Sequence, residues 1–182
     1  MKKIYGAAYR MPAELNSALQ CVENSHYLIT PVIMTISGVF AVWMAKNSIK
    51  SSREIARKQA TISLFERSIE NELLTNSMNI IRKVHEHNEI NIEVYADKPK
   101  DNLNETSFLE VKNAVRKVLN FHEHICIGIN ADIYDEHVFK DHRMRAFIEL
   151  WGMTEAYIIK RRELSGTEEL YLNLENQVKR WM

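Results

Sequence analysis

The sequence predicts an all-α protein: one N-terminal transmembrane helix followed by a cytoplasmic helical bundle. Three observations carry that expectation. Residues 27–45, YLITPVIMTISGVFAVWMA, run for nineteen positions without a charge, close to the roughly 20 apolar residues a helix needs to cross the hydrocarbon layer. Five Gly and three Pro in 182 residues are few, which favours long helices over turn-rich strands. Beyond the apolar run, hydrophobic residues recur at helical rather than strand spacing.

Each element follows in order. In 1–26, the short extracytoplasmic segment, Pro12 opens a helix with Leu15, Leu19 and Val22 on one stripe, ending near Asn24; it either lies along the membrane surface or extends the spanning helix. The span covers 27–46, with Pro31 in its first turn and Thr30, Thr35 and Ser37 bonding back to helix carbonyls. A cleaved signal peptide fits poorly, because Glu23 and His26 precede the run and bulky Trp43 and Met44 end it.

Lys46, Lys50, Arg53, Arg57 and Lys58 follow the span, opposed by Glu54, while the nearest fixed positive charge before it is Arg10. The positive-inside rule then puts the protein in the cytoplasmic membrane as a single-pass chain, N-terminus out and residues 47–182 in the cytoplasm. Tyr27 and Trp43 suit the interfacial aromatic belts.

The cytoplasmic part reads as one helical domain over 47–182. From Asn47 to about His87 there is no Gly or Pro, with an interruption expected between Asn71 and Asn76. Ile55, Ile62 and Ile69 recur every seven residues, but Gln59 and Glu66 make the matching seam too polar for a sustained coiled coil. Leu73, Leu74, Ser77, Ile80, Ile81 and Val84 form an amphipathic second helix, and 88–105 reads as a loop containing Pro99.

The clearest helix spans Ser107 to about Gly128, with Thr106 as N-cap and Phe108, Val111, Val115, Val118, Leu119, His122, Ile125, Cys126 and Ile129 inward. Asp132 caps the next helix, about Ile133 to Arg162, in which Gly152 marks a close approach of a neighbour. A last helix from Thr167 to Met182 turns Leu170, Leu174, Val178 and Trp181 inward.

Composition excludes some functions. Net charge is zero, so no global positive field draws in nucleic acid, and none is expected as a partner. The two cysteines, Cys21 and Cys126, fall on opposite sides of the membrane, which excludes a disulfide between them and a four-cysteine zinc site. No phosphate-binding Gly loop, nucleophile elbow or HExxH motif occurs. Arg143, Arg145 and Lys160 to Arg162 beside Phe147, Trp151 and Tyr157 read as a core stripe with a solvated charged back. No cofactor is implied.

The residues expected to form a binding surface are Glu123, His122, Asp135, Glu136 and Trp151. The leading expectation is a membrane-anchored interaction or regulatory protein without catalysis, in contact with membrane lipid and with a protein partner or a second copy of itself. The alternative is a metal- or acid/base-dependent enzyme centred on Glu123, His122 and Cys126, with His137 or His142 as further ligands.

Two segments, NFHEHICIGINADIYDEHVF at 120–139 and YLNLENQVKRWM at 171–182, resemble signature segments of an uncharacterised bacterial and phage family, domain of unknown function 4760. Glu123 matches its helix-borne Glu, Gly128 its Gly, Asp135-Glu136 its acidic helix start and Trp181 its terminal Trp. His122 stands where the family more often has an aromatic residue or Leu. The resemblance covers about 27–182 and implies membrane anchoring and a helical cytosolic domain. It implies no reaction; where such relatives occur suggests phage conflict, either defence or superinfection exclusion.

Overall fold

In the computed structural model, α1 (Ala13–Glu70), α2 (Glu72–His87), a 3₁₀ helix (Ile92–Ala96), α3 (Glu105–Asn130), α4 (Glu136–Ser165) and α5 (Leu172–Trp181) follow one another. Residues 13–87, 91–97 and 104–182 are described, with side chains for 31–86, 91–97 and 104–182. Among them there is no strand, so the fold class is all-α. The expectations placed on Pro12, Cys21, Tyr27 and Pro99 lie outside the described residues or side chains. Two compact units divide the chain, one reaching Ser52 and one from Arg53 to Met182.

In the first unit α1 does not end near Asn24 but runs on through the apolar segment. Pro31 therefore lies inside the helix rather than in a first turn, where its missing N–H removes one intrahelical hydrogen bond. The Thr35 hydroxyl donates to the Pro31 carbonyl at 2.5 Å and the Ser37 hydroxyl to that of Met34 at 2.9 Å. Ile33, Met34, Ile36, Val39, Phe40 and Val42 are each more than half exposed. Helices apolar all round are buried, in a protein core or in a membrane. By length and composition this is a helix able to cross a membrane.

In the second unit, α1 packs through Arg57, Thr61, Leu64, Phe65 and Ser68, while Ile55, Ile62 and Ile69 stay exposed. The seven-residue repeat thus marks the outer face of this helix. The break falls at Asn71, whose side-chain and backbone oxygens both accept from the Leu74 N–H, at 3.1 and 3.0 Å. This is N-capping of α2. That helix buries Ser77 and Ile81 and half-buries Leu74, Ile80 and Val84, as the stripe predicts; Leu73 alone of the six is exposed. Within the segment read as a loop, Asn91 caps the 3₁₀ helix, which buries Ile92, Tyr95 and Ala96 and stacks Tyr95 on Phe108 at 5.3 Å.

Helix α3 begins at Glu105 because Asn104, not Thr106, is the cap; its side chain accepts from the Thr106 N–H at 3.0 Å. The predicted inward stripe is buried from Phe108 to Ile129, with His122 half-buried. The chain then turns through Asp132, left-handed at φ 60°. Asp132 is consequently not a helix cap: its carboxylate pairs with Arg57 at 2.6 Å, and Asp135 caps α4 by accepting from the Val138 N–H at 3.1 Å. Gly128, still helical, is where a neighbour comes close: a Cβ there would lie 2.3 Å from the Tyr134 ring. At Gly152, where a close approach was expected, a Cβ would meet nothing within 4 Å.

Helix α4 ends at Gly166, left-handed at φ 66°, in the usual glycine stop. Helix α5 starts only at Leu172, because Tyr171 is left-handed at φ 59°. It turns Leu174, Gln177, Val178 and Trp181 into the core.

Candidate functional site

Three of the five predicted binding residues are acids, and all three hold helices. Glu123, half-buried on α3, reaches the first turn of α5. Its Oε1 accepts from the Asn173 backbone N–H at 3.2 Å and from the Asn173 side-chain amide at 2.8 Å; its Oε2 accepts from the Leu174 N–H at 2.8 Å. The first N–H groups of any helix lack intrahelical partners, and Tyr171 supplies no side-chain cap. A carboxylate from another helix fills both needs and matches the positive end of the helix dipole.

Glu136 secures the other end of α5. Its Oε1 accepts from Gln177 Nε2 at 2.9 Å and Trp181 Nε1 at 3.0 Å, with Arg180 at 3.6 Å. Burial works to raise the Glu136 pKa, but the bonds from Gln177 and Trp181, with Arg180, outweigh it and hold the carboxyl below its ordinary range. Asp135 is 6% exposed, and its own N–H donates to the Thr61 hydroxyl of α1 at 2.9 Å. Thr61 in turn donates to the Arg57 carbonyl at 2.9 Å, so α1 and the start of α4 are joined through one buried hydroxyl.

His122 lies elsewhere, on the wall of a groove between the end of α1, α2, α3 and α4. Its Nδ1 bonds the Val118 carbonyl at 2.8 Å, which makes Nδ1 the protonated nitrogen and leaves Nε2 as an acceptor. The ring meets Phe121 and Phe147 edge-on at 5.4 and 4.8 Å. Burial lowers its pKa to about 4, against the pull of the Val118 carbonyl, and the nearby Arg143 lowers it further. His122 is therefore neutral at pH 7.

The groove measures about 400 Å³, within the roughly 300–1,000 Å³ of small-molecule sites. Its lining is mainly apolar, with Leu64, Phe65, Leu74, Met78, Phe121 and Phe147 prominent, and no Asp or Glu contributes to it. Two cations do. Arg82 pairs with Glu149 at 3.3 Å; Arg143, half-buried, lies 5.2 Å above the Phe65 ring. No carboxylate among the described residues pairs with Arg143. Phe65 was missed by sequence reasoning because the repeat of isoleucines drew attention to the opposite face of α1. Arg143 was seen only as part of a solvated charged back.

Trp151, the fifth predicted residue, is packed in the core at 7% exposure. Cys126 is wholly buried, and burial pushes its thiol up to about 12, which removes it from thiolate chemistry near neutral pH. His137 and His142 are exposed on α4, His142 edge-on to Phe65 at 6.2 Å. Among the described residues no group of three or more His, Cys, Asp or Glu gathers closely enough to hold a metal ion. The predicted site residues thus do not form one constellation: Glu123 and Glu136 converge on α5, Asp135 joins α1 to α4, and His122 alone lines the groove.

No curated protein and no solved structure matches this chain. The residues that tie α3 and α4 to α5, from Glu123 to Trp181, are those in which the two signature segments lie. Consistent with them, the family described as Domain of unknown function (DUF4760) matches residues 31–181, and the chain belongs to that family.

Proposed function

We propose that this chain is a single-pass membrane-anchored binding protein, interactive or regulatory in role and without catalysis, whose working surface is the groove lined by Phe65, His122 and Phe147. The observation that carries this reading is the division of labour among its polar groups. Glu123 accepts three hydrogen bonds from α5, and His122 sits neutral among phenylalanines. The groove remains open beside them, with a cation, Arg143, that no carboxylate among the described residues pairs.

The orientation proposed is N-terminus outside and groove-bearing unit in the cytoplasm. It rests on Lys46, Lys50 and Arg53 following the apolar segment, none of them drawn into an ion pair among the described residues.

The test is purification of the full chain from detergent-solubilised membranes, followed by identification of co-purifying species, protein and small molecule alike. The wild type is compared with Met78→Gln, which polarises a half-buried groove wall. A species held by the wild type and lost in the variant, at equal melting temperature, supports the reading. Identical sets from both, or a reaction that Glu123→Gln abolishes without loss of stability, contradict it.

A further inference from the structure

We propose that the groove binds a long-chain carboxylate, its tail among Phe65, Phe121 and Phe147 and its anionic head on Arg143. The inference rests on the reading of the groove as the binding surface and names the chemistry that surface selects.

The cavity asks for an apolar occupant. Phenylalanine rings from three helices face it, and Leu74 and Met78 of α2 close the side. Covering such a surface is favourable at about 25 cal/mol per Å² of apolar area removed from water. Methionine and edge-on rings adapt to a flexible chain.

The cavity also asks for one negative charge. Arg143 is half-buried beside Phe65, and its contact there is with the face of the ring. A guanidinium partly removed from water without a counter-ion is costly, and an incoming carboxylate relieves that cost through a forked pair of N–H bonds. Thr75 and Asn79 of the lining are exposed to water, and three further polar groups do not compete. Arg82 already has Glu149. Ser68 donates to the Phe65 carbonyl at 2.8 Å. His122, bonded through Nδ1, offers only an acceptor to the groove and repels rather than attracts a carboxylate.

A peptide is the poorer fit. An extended peptide brings N–H and C=O groups that must all be paired, and this wall offers few free polar atoms to pair them. A hydrocarbon tail with one charged end brings no such demand.

The experiment uses the full chain in lipid nanodiscs, with a diazirine-bearing hexadecanoic acid and the matching diazirine-bearing hexadecanol as photoprobes. Labelled peptides are mapped by mass spectrometry, and labelling of the apolar segment around Phe40 serves as the internal reference. The acid is expected to label peptides containing Phe65, Phe121 and Phe147 at least tenfold more than the alcohol does. Unmodified hexadecanoate should suppress that labelling. Arg143→Gln should abolish the tenfold preference while leaving the melting temperature and the reference labelling unchanged. Equal groove labelling by acid and alcohol overturns the carboxylate but leaves the groove as the binding surface. Absence of groove labelling by both probes, with the reference labelled, overturns the lipid-like ligand altogether; the co-purification experiment then decides the wider reading on its own.

Discussion

The Glu123 carboxylate of α3 caps α5 from outside, its Oε2 2.8 Å from the Leu174 backbone N–H. Truncation to alanine leaves the Asn173 and Leu174 N–H groups without an acceptor. Glu123→Ala is expected to cost about 2 kcal/mol, and Glu123→Gln, which keeps an acceptor but loses the charge, about 1 kcal/mol. Thermal melting checks the order. Hydrogen exchange should quicken first in 172–181. An unchanged melting temperature in both variants would mean that α5 does not need this cap.

His122 makes stability depend on pH in a defined window. Its pKa is about 4 in the folded protein against 6.5 for an unperturbed imidazole. Between those values the unfolded chain binds a proton that the folded one refuses. Stability is thus full above pH 6.5 and falls as pH drops toward 4, by at most about 3 kcal/mol. His122→Phe should flatten this part of the profile. Urea unfolding of both proteins between pH 7 and 4.5 checks it, and parallel curves would refute it.

Gly128 is packed under Tyr134, where an added Cβ would lie 2.3 Å from the ring. Tyr134 also meets Phe139 at 5.9 Å, so its displacement disturbs the start of α4. Gly128→Ala is expected to lose about 1–3 kcal/mol, although alanine is the better helix former. Gly152→Ala, with open space around it, should be neutral or slightly stabilising. Melting temperatures of the two variants test the contrast directly.

Arg162 clamps the turn between α4 and α5. Its Nε and Nη2 donate to the Leu170 carbonyl at 2.9 and 2.7 Å, and its Nη1 to Glu175 at 2.7 Å, with both side chains under 20% exposed. Arg162→Met is expected to cost about 2 kcal/mol, because the Leu170 carbonyl loses its donors and half-buried Glu175 keeps only Lys179. Arg162→Lys should recover little, since an ammonium cannot fork between a carbonyl and a carboxylate. Urea midpoints check both.

What was legible in the sequence was local. The charge-free run and the inward stripe of α3 depend on residues a few positions apart, so periodicity alone reveals them. The break at Asn71 was similarly accessible, since Asn71 and Asn76 bracket the place where the pattern changes. The cap of α4 was not: Asp132 and Asp135 are equally able to cap, and the choice is made by Arg57 and Thr61 of α1, far away in sequence. Glu123 shows the same limit, because its partners Asn173 and Leu174 lie some 50 residues on. The packing face of α1 was not legible for a related reason: the polar and aromatic set Arg57, Thr61 and Phe65 faces inward while the isoleucines face out. Of the groove, only His122 was anticipated.

The account depends most on the apolar part of α1 residing in lipid. Sodium carbonate extraction of cell membranes tests this directly. The intact chain should stay in the membrane pellet, and a chain lacking residues 27–46 should move to the supernatant. Release of the intact chain by carbonate would contradict the anchoring on which the proposed function stands.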